Sequence, residues 1–132
     1  MSEMYEYGIN IVTENIPFAG TDSKIFFKLC SLPDEWHTDD LEKYVKEQNG
    51  GEDPFERGKG SGFTIKVPNR ITQINKIEIM LQPSMNGGWT VEGLSICGPY
   101  YVVGEIQEWT CPLYCTLQDD KKLHTFLVEQ VR

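Results

Sequence analysis

The 132 residues suffice for one domain with a single sizeable core, and 39% hydrophobic with 24% charged residues argue against disorder. Twenty acidic against twelve basic residues leave a formal charge of −8, which repels phosphate backbones and excludes nucleic acid as a natural partner. No run of eighteen apolar residues occurs and the start, MSEMYEYGIN, lacks a basic then apolar leader, so the expectation is a chain that does not span membranes.

In chain order, Tyr7, Ile9, Ile11 and Thr13 alternate with Gly8, Asn10 and Val12, the period of a strand with one apolar side. Asn15-Ile16-Pro17-Phe18-Ala19-Gly20 breaks that run, and Ile25, Phe27 and Leu29 resume it against Lys24, Phe26 and Lys28. Residues 31–60 are polar and acidic and read as a long connection. Within it, Thr38-Asp39-Asp40 ahead of Leu41, Tyr44 and Val45 combines N-cap chemistry with helical spacing, predicting a short helix in the span 38–48.

Phe63, Ile65 and Val67 alternate, as do Ile77, Ile79 and Leu81, and Gly87-Gly88 introduces a strand from Trp89 to Cys97. Tyr100 to Val103, Glu105 to Cys111 and Leu123 to Val128 supply the remaining apolar segments. About seven or eight short strands without a long helix predict an all-β antiparallel sandwich. Of the four cysteines, Cys111 and Cys115 alone are close in sequence, and no partner set completes a zinc pattern. Buried free thiols are expected, and secretion after removal of a leader would reopen the question of disulfides.

The order of TENIPFAGTDSKIFFKL, PFERGKGSGFTIKV, INKIEIMLQ, GGWTVEGLSI and WTCPLYCTLQDDKK resembles the PLAT, or lipoxygenase-homology, domain. Thr13, Gly20, Thr21 and Asp22 match its Gly-Thr-Asp turn, Phe55-Glu56-Arg57-Gly58 its Phe-Glu-Arg-Gly element, and Gly88-Trp89 its Gly-Trp strand start. The likeness covers roughly residues 5–128 of a single 1–132 domain, with 33–52 atypical. It implies a sandwich of two four-stranded sheets that performs no catalysis. Such domains target companion enzymes or channels to lipids and proteins, often with calcium.

Calcium requires six to eight oxygen ligands, usually several of them carboxylates. The resemblance places Gly20, Thr21 and Asp22 at the metal edge, but its earlier acid falls at Asn15, one of its glycines at Phe18, and its later Asp-Asn pair at Gln82-Pro83. Asp34, Asp39, Asp40, Glu52 and Asp53 are candidate substitutes. The alternative is that Asp22 and Gly20 only shape the turn.

For docking on a membrane or partner, Phe18, Trp36 and Met85 are the candidate apolar tips in loops, although Trp36 could equally form a lid over the sandwich. A charge of −8 then demands calcium or a neutral lipid target. His37 and His124 join no nucleophile or metal pattern, so an enzyme is not expected. The rival function is a metal-independent protein-binding domain, and a sugar-binding sandwich stands behind it. The expected location is cytoplasmic or peripheral to membranes, or outside the cell if a signal peptide has been removed.

Overall fold

The computed structural model describes residues 4–21, 23–83, 88–118 and 120–132. Alternating apolar residues fold into strands β1 (Tyr5–Thr13), β2 (Ile25–Leu32), β4 (Gly60–Val67), β5 (Gln73–Leu81), β6 (Trp89–Tyr100), β7 (Gln107–Leu117) and β8 (His124–Leu127). Two short strands join them: β3 (Trp36–Thr38) inside the acidic connection, and β9 (Glu129–Gln130). Helix α1 (Leu41–Gln48) follows β3.

All pairings are antiparallel. One sheet runs β4-β1-β6-β7-β9 and the other β3-β2-β5-β8, so the sandwich has five and four strands. The larger sheet gains its fifth member from β9, whose two residues are too few to show a periodicity.

The inward faces come from the predicted alternation. Ile9 lies between Phe63 and Ile96 in one sheet, and Phe27 and Leu29 pair with Ile79 and Ile77 in the other. All seven are buried. A one-residue slip would turn this entire set to solvent, so burial fixes the register. Tyr7 is fully buried, and its hydroxyl oxygen accepts the Ile71 backbone N–H at 2.8 Å. Tyr7→Phe strands that buried donor and is expected to lower unfolding free energy by roughly 1–3 kcal/mol in a urea titration.

The helix caps an exposed strand edge. Asp40 Oδ1 accepts from Lys43 N at 3.2 Å and starts α1, and Leu41 and Val45 bury its apolar side. Its polar side then meets the open edge of β4. Gln48 exchanges two hydrogen bonds with the Thr64 backbone (2.7 and 2.8 Å), Tyr44 donates to the Thr64 carbonyl at 2.7 Å, and Asn49 donates to the Gly62 carbonyl at 2.9 Å. Side chains thus occupy groups that would otherwise template another strand.

Among the described residues Cys30, Cys97, Cys111 and Cys115 are free thiols, with Cys30 and Cys111 buried and the other two half-buried. The sandwich has two poles. The ends of β1, β5 and β7 gather the described residues 14–21, 23–24, 82–83, 88, 118 and 120–123 at one, and the loops 33–35, 68–72 and 101–106 meet at the other.

Candidate functional site

The first pole is built on Trp89. Its indole N–H donates to Thr13 Oγ1 at 2.9 Å, and the Phe55 ring lies 4.8 Å from it, both aromatic residues being fully buried. Phe55 closes the segment before β4 onto this pole: its carbonyl accepts from Thr21 N at 3.0 Å and its N–H donates to Ser61 Oγ at 2.9 Å. Gly20 lies against that segment so closely that an added Cβ would stand 3.0 Å from the Phe55 carbonyl oxygen and 3.1 Å from Arg57 N. A side chain there would have to displace backbone, which explains a glycine at this position.

The same loop expels Phe18. Ala19 is fully buried, its N–H donates to the Ile16 carbonyl and its carbonyl accepts from Thr90 N at 3.0 Å. The preceding residue must make the turn, and Phe18 does so at φ 64° with its side chain 95% exposed. Ile16 beside it is also exposed. A phenylalanine in left-handed backbone geometry with its ring in water gains nothing from packing.

Trp36 requires a correction. It stands in β3 rather than in a loop, half-buried, with its ring 5.1 Å from Tyr44, 6.2 Å from Phe27 and 6.4 Å from Phe63. Aromatic contact on three sides makes it part of the plug between α1 and the sandwich, and removes it from the docking tips. Met85 and Asp22 lie outside the described residues.

The donor set does not fit calcium among the described residues. Thr21 is buried, and its Oγ1 already accepts from Ser23 N at 3.0 Å. Asn15 Oδ1 accepts from Arg57 Nε at 3.1 Å, which puts a fixed cation beside the turn. Four of the five proposed substitute acids are engaged elsewhere: Asp34 with Asn69 at the far pole, Asp40 as helix cap, Glu52 with Lys59 at 2.7 Å and Asp53 with Lys46 at 2.8 Å, which leaves the exposed Asp39 as a single carboxylate. The Lys46 ammonium bonded to Asp53 holds that carboxyl below the usual range. No group of three or more His, Cys, Asp or Glu among the described residues is placed to hold a metal.

Of the two histidines, His37 is exposed in β3, and His124 in β8 has a buried Nε2 without a hydrogen-bond partner among the described residues. No helix among those residues is long and apolar enough to cross a membrane.

No family model and no curated protein sequence matches the chain. Solved structures do. Alpha toxin from Clostridium absonum superposes with a TM-score of 0.63 at 17% identity, over 96% of this chain and 31% of the toxin. A lipoxygenase in complex with arachidonate gives 0.64 at 16% identity, over 96% of this chain and 16% of the enzyme. Coral 8R-lipoxygenase, described as activated by calcium via a C2-like domain, gives 0.63 at 16% identity over 93% of this chain and 17% of the enzyme. The fold is a PLAT, or C2-like, sandwich.

This PLAT-like chain spans about a third or less of the proteins it matches. At these identities the likeness is one of fold, and functions are not carried with it. One apolar feature was not singled out from sequence. Tyr100 ends β6, but Tyr101 to Val103 leave the sheet, and Tyr101 and Val103 stand 93% and 102% exposed. The available signal was that Tyr100-Tyr101-Val102-Val103 does not alternate, as a half-buried strand would.

Proposed function

We propose that this PLAT-like domain is a non-catalytic interaction module that brings a companion protein to a lipid surface, with the Phe18 edge as a docking face. The observation that carries the reading is Phe18 itself: a fully presented aromatic side chain, held out by a buried alanine and a left-handed turn at a loop pole. The fold shared with a C2-like domain of a lipoxygenase supports the lipid class of target.

The lipid is taken to be zwitterionic. A chain of charge −8 is repelled by anionic headgroups, and the described residues around Gly20 and Thr21 offer no cage for a bridging divalent ion. Arg57, fixed on Asn15 beside the same loop, supplies the cation that meets a headgroup phosphate. A peripheral, membrane-associated location follows from this reading.

Phe18→Ala is expected to weaken co-sedimentation with phosphatidylcholine vesicles about tenfold or more, the effect of leaving one aromatic side chain out of an apolar phase. Phe18→Gly should weaken it equally while raising thermal stability, since glycine adopts φ 64° without the roughly 1 kcal/mol strain of a side chain. Calorimetry on the same samples reads the second effect. Unchanged sedimentation of both variants, with calcium and with chelator, would remove Phe18 from the docking face.

A further inference from the structure

The loop 101–106 joins β6 to β7 at the pole opposite Phe18, and its outermost residues are apolar. Tyr101 and Val103 are almost wholly exposed, and Ile106 follows at 41%. The loop has a defined shape. Tyr101 at φ 60° and Gly104 at φ 130° turn the chain, the Tyr100 and Tyr101 rings meet edge to face at 6.1 Å, and Arg70 donates to the Glu105 carbonyl. That bond uses one of the five N–H donors of the guanidinium.

We infer that this tip is a second lipid-insertion element, in which Tyr101, Val103 and Ile106 enter the interface of a zwitterionic bilayer and Arg70 meets its phosphates. The inference shares the lipid class of target with the reading above, and does not depend on Phe18.

Three features favour a bilayer over a protein partner. The exposed tip is small: a few side chains of at most about 150–250 Å² each fall short of the roughly 800 Å² per partner of a stable protein interface. A bilayer asks only for depth, and each apolar side chain inserted contributes by itself. The tyrosines carry an apolar ring and a polar end, which suits the headgroup level. Arg70 beside the tip is the charge complement of a lipid phosphate, while Glu105 is the only carboxylate within the loop.

The two poles are separated by the length of the strands, about 30 Å for the nine residues of β1 at roughly 3.3 Å each. Phe18 and the 101–106 tip therefore face away from each other, and one leaflet receives one of them at a time.

Val103→Trp and Phe18→Trp place a reporter at either pole without touching the core. Native Trp89 and Trp109 are buried, and the wild-type chain supplies the background including half-buried Trp36. The probe is a vesicle of phosphatidylcholine brominated along its acyl chains. The expected result is quenching of the Val103→Trp signal, with Tyr101→Ser/Val103→Ser, made in the Phe18→Ala background so that the other pole does not mask it, lowering vesicle affinity about a further tenfold at unchanged melting temperature. If Phe18→Trp is quenched and Val103→Trp stays bright, the second tip is refuted and the Phe18 edge stands. The reverse pattern supports the tip and refutes Phe18 as a lipid contact. If neither is quenched and no chain sediments with vesicles, both fall.

Discussion

Phe55→Ala is expected to cost about 3–5 kcal/mol of unfolding free energy, the usual penalty for emptying a fully enclosed aromatic site. The ring has no exposure and lies 4.8 Å from Trp89, so its removal leaves a void that the two sheets cannot close. The consequence is larger than lost area. Phe55 also carries the carbonyl that accepts from Thr21 and the N–H that donates to Ser61, and the close seat of Gly20 depends on the same segment. The variant should therefore loosen the Phe18 loop before the rest of the sandwich. Urea unfolding measures the first effect, and hydrogen exchange at Ala19 and Thr21 the second. A loss under about 1 kcal/mol would show that the site collapses freely and that Phe55 does not organise this pole.

The second large effect is alkaline. Burial, with a smaller contribution from Cys115, pushes the Cys111 thiol up to about 11 from its ordinary value of 9.0. The folded chain thus holds its proton after the unfolded chain has released it. Stability from this group is complete below pH 9, declines as pH rises toward 11, and is then gone, a difference of about 2–3 kcal/mol at 1.4 kcal/mol per unit. Cys30, Cys115, Tyr7 and Tyr44 are raised mainly by burial, and Tyr100 is pushed up to about 12, chiefly by its hydrogen bond with Cys97, so the others act in the same direction. Urea midpoints taken from pH 8 to pH 11 should fall steeply for the wild type and less steeply for Cys111→Ala. Equal slopes in the two chains would mean that the Cys111 thiol ionises within the fold as readily as in water.

Much of the sandwich was legible because strand periodicity is a local property. The alternation of Tyr7, Ile9 and Ile11, of Ile25, Phe27 and Leu29, and of Ile77, Ile79 and Leu81 names the buried face before any pairing is known, and each of these residues is buried. The same is true of α1, where Asp40 caps and Leu41 and Val45 face inward, all within one short segment. Gly20 was legible as a required glycine, although its reason, the backbone of residues 55–57 lying against it, is a contact between distant segments.

What the sequence by itself determined is where the seven longer strands run, which face of each is apolar, and that the whole is an antiparallel sandwich, while the short β3 and β9 were not legible. What only the tertiary structure decided is exposure. Trp36 and Phe18 are both aromatic residues outside the alternating segments of the sequence, yet one is enclosed by Tyr44, Phe27 and Phe63 and the other stands in solvent. Tyr101 and Val103 continue an apolar run but lie past the point where β6 loses its partner strand. Whether a side chain is core or docking tip depends on what the folded chain brings within a few ångströms of it, and local periodicity carries no information about those distant neighbours.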